Sequence, residues 1–136
     1  MRTRGEIEAA ICDRMTRFSQ EYMGRGPRDI QAHLIGDILF VRLRGILTAL
    51  EQQLVKMQSA ESGRLLLKQV RTHLIEVMRP VMDPMVEEVT GVKVVSLHHD
   101  VSTTTGEEVV LFTLAQAPPC REARQRQTER GKTSLL

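Results

Sequence analysis

The chain has no tryptophan, a single tyrosine and three phenylalanines. That is a poor supply of flat rings for stacking the bases of single-stranded nucleic acid. Its two cysteines, Cys12 and Cys120, lie far apart and match no C-x-x-C spacing. A disulfide framework and the common zinc and redox motifs are thereby excluded. Cys12 falls on a helical pattern, where a thiol serves as a small core residue. No apolar run approaches the roughly 20 residues that a membrane-spanning helix needs. The basic start at Arg2 and Arg4 has no apolar stretch behind it and does not read as a signal peptide. A reduced, cytoplasmic protein is the expectation. Strong net charge is missing too, at +2 overall. Arg121, Arg124, Arg126, Arg130 and Lys132 face only Glu122 and Glu129 beyond Ala115, so the excess sits at the C-terminal end. A near-neutral body makes strong nucleic-acid binding an unfavoured function.

What is present is enough for a core: 136 residues with 41% hydrophobic content, and no need of disulfide staples at that length. The stretch from Gly24 to Glu51 organises the rest. Gly24 and Gly26 follow an apolar-periodic segment, where a helix ends through a left-handed residue. Pro27 cannot continue that helix. From Ile30 the pattern alternates with period two, and Gly36-Asp37 reads as a two-residue hairpin turn with glycine first. This turn sets Ile35 opposite Ile38 and Leu34 opposite Leu39. Ile30, Ala32, Leu34, Leu39, Val41 and Leu43 then share one apolar face, and turn and pattern agree on the register. The other face carries Ile35, Ile38 and Phe40, a group expected under another segment or at a homodimer contact. Thr48 and Glu51 form a T-x-x-E capping box that opens the next helix.

Elsewhere the spacing predicts a helix over 6–23, with Ile7, Ala10, Ile11, Met15, Phe18 and Tyr22 on its stripe. The helix from Thr48 carries Leu50, Leu54 and Met57, and a turn or irregularity is expected over 59–63. A longer helix follows with Leu66, Val70, Leu74, Val77, Met78 and Val81 on one face, and Lys68, Arg71 and Arg79 near its edges. Pro80 predicts a kink or break, and Asp83-Pro84 a helix restart. Gly91 is a helix terminator. Strands are expected over 92–99 and 107–114, the second buried on both faces because Val109 to Phe112 is continuously apolar. The expected fold is α+β in the order α-β-β-α-α-β-β, with a four-stranded antiparallel sheet packed on helices. It reads as one domain over residues 5–115, with a basic tail over 116–136 expected to lack order. The helix-then-hairpin unit occurs twice, and an isolated hairpin is marginal, so each needs the other.

The run G-R-G-P, then R-G-I-L-T-A-L-E, K-Q-V-R, T-G-V-K-V-V-S-L-H-H-D and V-V-L-F-T-L resembles the MpsC family. That family is made of small bacterial domains associated by name with a sodium-translocating, membrane-potential-generating system linked to inorganic carbon supply. The resemblance covers about residues 5 to 115. It implies a non-catalytic accessory or regulatory role acting by protein contact, with a membrane-transporter subunit as partner. No cofactor is expected.

The residues themselves offer two further candidates. Arg25 and Arg28 flank Gly26-Pro27 and can pair on an anion such as bicarbonate or phosphate; their ordinary alternative is to stabilise the end of a helix dipole. This arginine pair, with the His98 region, defines the second functional reading, a small-anion-binding sensor or enzyme. His98 and Asp100 share a strand face while His99 opposes them. Two ligands fall short of the usual three or four, so a metal site is not assigned. The hydroxyls of Ser96, Ser102, Thr103, Thr104 and Thr105 match no nucleophile motif, and no catalytic residue is assigned. A weak nucleic-acid contact through the basic tail is the third reading.

Overall fold

The computed structural model describes residues 1–56 and 60–121. Its elements run α1 (Arg4–Tyr22), β1 (Asp29–Ile35), β2 (Ile38–Arg44), α2 (Ala49–Lys56), α3 (Ala60–Thr90), β3 (Val94–Val101) and β4 (Glu108–Leu114). The four strands form one antiparallel sheet in the order β1-β2-β4-β3. The α+β fold and the expected element order are therefore present. Each hairpin stays with its own helix, α1 against β1 and α3 against β3. The β2–β4 pairing joins the halves, with Leu39 opposite Phe112 and Val41 opposite Val110.

The first hairpin adopts the register read from its turn: Ile35 pairs with Ile38, Leu34 with Leu39 and Ala32 with Val41. Gly36 has φ +59°, a geometry that costs glycine little. The core lies between one sheet face and the helices. Ala32, Leu34, Leu39, Val41, Leu43, Val110, Phe112 and Leu114 meet Ile7, Ile11 and Met15 of α1 and Leu67, Ile75, Met82, Val86 and Val89 of α3. A second capping box, Thr3 with Glu6, starts α1. Chain direction changes after Met23 and after Thr90, through Gly24 and Gly91.

Four expectations need correction. First, α3 runs unbroken through Pro80 and Pro84, and Asp83 lies inside it rather than capping a new helix. Each proline removes one backbone donor, and the Arg79–Asp83 side-chain pair (3.1 Å) lies across the same turn. Second, residues 60–63 are helical, not a turn; position 59, like Met57, falls outside the described residues. Gly63 is needed there because a Cβ would collide with the Leu54 carbonyl of α2. Third, β4 is not buried on both faces. Its residues alternate between buried and half-buried, and Val109 and Leu111 are on the half-buried face. Fourth, α3 turns a different stripe to the core. Leu67, Arg71, Ile75, Met82, Met85, Val86 and Val89 are buried, while Leu66, Val70, Leu74, Val77 and Val81 are 46%, 44%, 37%, 55% and 43% exposed. Leu50 of α2 is exposed as well.

The two edge strands end similarly. The backbone N–H of Leu34 on β1 donates to Glu8 Oε2 of α1 (2.8 Å), and that of Val94 on β3 donates to Glu87 Oε2 of α3 (2.9 Å). β3 also carries a bulge between Val94 and Ser96. Past β4, Pro118 is buried, and the Arg121 backbone N–H donates to the Arg2 carbonyl (3.1 Å).

Candidate functional site

The α2–α3 end of the sheet holds an ionic cluster and, beside it, an open cavity. The cluster grows from the capping box. Thr48 N–H donates to Glu51 Oε1 (2.9 Å), and Glu51 N–H donates to Thr48 Oγ (3.2 Å). The same carboxylate receives a two-point bond from Arg71, Nε to Oε2 (2.8 Å) and Nη2 to Oε1 (2.7 Å). Arg71 Nη2 also donates to the Ile46 carbonyl (3.2 Å), and Nη1 reaches Glu108 Oε2 (3.4 Å). His99 Nε2 lies 2.7 Å from that oxygen. The side chains of Arg71, His99 and Glu108 are 3%, 3% and 6% exposed.

Burial alone would lower the Arg71 pKa, but Glu51 and Glu108 outweigh it and hold the guanidinium charged. Burial likewise pushes the Glu51 carboxyl up, and the Arg71 and Thr48 hydrogen bonds overcome it, so the group stays below its ordinary range. With every polar group of Arg71 and Glu51 engaged, the cluster ties α2 and α3 to both hairpins. His99 Nδ1 is buried without a partner among the described residues.

The cavity, about 450 Å³, opens next to this cluster. Arg25, Arg28, Lys56 and Arg64 line it, with Gln52 and the loop Thr103–Gly106. Arg25 Nη1 and Gln52 Nε2 both donate to the Leu47 carbonyl (3.2 and 3.3 Å). Arg71 holds Ile46 from beneath, so the 45–48 segment is clamped from two sides. Among the described residues no carboxylate lines the cavity.

The residues singled out in the sequence are now placed. Arg25 and Arg28 share the cavity; Gly24, Gly26 and Pro27 form the bend that leads the chain into it from α1. Ser19 Oγ donates to the Arg25 carbonyl (2.6 Å) and fixes that bend. Lys56 and Arg64 were missed, because only the folding of α2 against α3 brings them to the arginines. His98 and Asp100 point away from the buried His99. Asp100 Oδ1 accepts from Lys68 (3.2 Å) and from the Val101 N–H (2.9 Å). Among the described residues no three His, Cys, Asp or Glu side chains converge as a metal site would require. Cys12 is half-buried and its thiol pKa is pushed up by burial, which disfavours the reactive thiolate.

Fold and site together define a small α+β domain with a buried ionic cluster beside a cation-lined cavity. The sequence matches the family described as Na+-translocating membrane potential-generating system (MpsC) over residues 3–116, and the chain belongs to this MpsC family. It is similar to the uncharacterized protein YbcI of Bacillus subtilis (strain 168), with 34% identity over 113 residues, 83% of this chain and 89% of that protein. No solved structure matches it.

Proposed function

We propose that this chain is a non-catalytic, cytoplasmic accessory or regulatory protein of a sodium-translocating, membrane-potential-generating system, acting by protein contact as a homodimer. The family description supports the link to the membrane system. No helix among the described residues is long and apolar enough to cross a membrane, so the link is made through a partner such as a transporter subunit. The observation that carries the contact reading is the exposed stripe of α3.

The stripe runs Leu66, Val70, Leu74, Val77, Val81, at helical steps of four, four, three and four. It borders a groove between α1 and α3 lined by Phe18, Tyr22, Val81 and Met85. Five exposed apolar side chains in one row along a helix are the kind of surface that marks an interaction site. A stable interface needs about 800 Å² per partner, which this centre and its polar flanks supply. The occupant that fits is a second copy. Antiparallel two-fold pairing sets Leu66 against Val81 and Val70 against Val77, with Leu74 near the axis, so the stripe is self-complementary. In this reading the dimer contact lies on α3; the hairpin group expected at the contact has Ile35 exposed, with Ile38 and Phe40 half-buried.

The test uses a strain lacking the gene. Sodium-dependent membrane potential should fall, return with the wild-type chain, and stay low with Val77→Glu, which light scattering should report as a folded monomer. Unchanged potential in the deletion strain, or full rescue by a monomeric Val77→Glu, refutes the reading. The cation-lined cavity favours the second, anion-binding reading, developed next.

A further inference from the structure

We propose that the cavity between Arg25, Arg28, Lys56, Arg64 and the Thr103–Gly106 loop binds a multiply charged oxyanion, of the pyrophosphate or phosphate-ester class. The proposal is independent of the accessory role and of the α3 contact.

The charge pattern comes first. Arg25, Arg28, Lys56 and Arg64 have no carboxylate partner among the described residues, whereas Arg42, Lys68, Arg71 and Arg79 outside the cavity each hold one. Four like charges around one cavity repel one another, and an anion between them relieves that repulsion. A singly charged guest such as bicarbonate would leave most of it. A guest with two or more negative charges balances it better. The cavity volume of about 450 Å³ also falls in the range of small-molecule sites, roughly 300–1,000 Å³, and exceeds what a bare bicarbonate fills.

The walls are shaped in advance. Gly45 has φ +66°, and a Cβ there would lie 2.8 Å from Arg28 Cβ, so glycine lets the Arg28 side chain cross directly over the backbone. Arg25 spends one N–H on the Leu47 carbonyl, which aims the rest of its planar fork; such forks match phosphate oxygens. Opposite, the threonine loop is closed by Gly106 N–H to the Ser102 carbonyl (2.8 Å) and Thr105 N–H to Ser102 Oγ (3.2 Å). The N–H groups of Thr103 and Thr104 have no acceptor among the described residues, and turns that present free N–H groups are favoured anion seats. Among the described residues no aromatic ring lines the cavity, so recognition runs through the charged group rather than through a stacked base.

Titration calorimetry on the full chain at low salt tests this with sodium pyrophosphate, inorganic phosphate and bicarbonate as probes. Pyrophosphate should bind saturably with one site per chain, at least about tenfold tighter than phosphate, with bicarbonate weakest. The double variant Lys56→Gln, Arg64→Gln should lose at least about tenfold in affinity for pyrophosphate. Both side chains are exposed, so the variant folds, and circular dichroism verifies this. Lys93→Gln, an exposed lysine outside the cavity, should bind as wild type. Absence of saturable binding overturns the proposal. So does equal weakening by Lys93→Gln, which would mark diffuse attraction, or bicarbonate binding as tightly as pyrophosphate, which would remove the multiply charged class.

Discussion

Replacing Arg71 with methionine keeps the length of the side chain and removes its charge. In the folded protein this strands two carboxylates and one carbonyl. Glu108, 6% exposed, loses the Arg71 guanidinium and keeps His99 at 2.7 Å. Glu51, 18% exposed, loses both oxygen contacts to the guanidinium and keeps Thr48. The Ile46 carbonyl loses its donor. Breaking a buried pair from one side costs about 3–5 kcal/mol. Because Glu51 can still reach water and Glu108 still has a histidine, the expected loss is at the low end, about 3 kcal/mol. For a chain of 136 residues, that corresponds to a fall in melting temperature of about 10–15 °C. Urea unfolding followed by circular dichroism measures the loss directly. Two internal checks come with it. Adding Glu108→Gln should recover part of the stability, because an uncharged amide is cheaper to bury than an unpaired carboxylate. Raising the salt concentration should leave the difference nearly unchanged, since buried pairs are weakly screened. A loss below about 1 kcal/mol, the range of exposed ion pairs, would refute the account of Arg71 as the tie at the centre of the fold.

Thr48→Ala removes one side of the capping box and should cost about 1 kcal/mol in the same assay. Glu51→Gln should cost clearly more than that, because it breaks the two-point bond to Arg71 even though Gln can still close the box; a near-neutral result would mean that only the cap matters. Glu51 has a folded pKa below its unfolded value of about 4.3. Its contribution is therefore complete above that pH and is lost as pH falls through the folded pKa, and acid unfolding of Arg71→Met should show this component reduced to the share held by Thr48. Gly63→Ala should destabilise by about 1–3 kcal/mol, since the Leu54 carbonyl leaves no room for a methyl group; a neutral result would show that α2 moves away freely.

The first hairpin was legible because two independent signals coincide in it: a glycine at the turn and a strict alternation that becomes apolar on one side only when that turn is used. The rotation of α3 was not legible, and the reason is specific. That helix carries two apolar stripes at helical spacing, one through Leu67, Ile75 and Met82 and one through Leu66, Val70 and Val77. Periodicity alone does not rank them. The buried stripe even contains Arg71, which a hydrophobic count would place outside. Its burial depends on carboxylates at positions 51 and 108, distant in sequence, and no local rule connects them. Pro80 and Pro84 misled for a related reason: their cost to an isolated helix is real, and the packing of Met82, Met85 and Val86 on the sheet offsets it. At the cavity, Arg25 and Arg28 stood out because they flank a bend. Lys56 and Arg64 carried no signal of their own, being brought in by the pairing of two helices.

The glutamates that cap the edge strands have a consequence for how this protein can meet others. A sheet of four strands with two edges invites strand addition at its rims, by a partner or by another copy on the way to a fibril. Glu8 of α1 occupies an edge N–H of β1 and Glu87 of α3 one of β3, and the bulge at Val94–Ser96 breaks the regular spacing that an incoming strand would need. A guest strand would have to displace a carboxylate at either edge and then pair across a distorted backbone. Recognition by backbone zippering is thus obstructed from both sides, and productive encounters are left to side-chain surfaces, where single substitutions can retune the choice of partner without exposing the protein to aggregation.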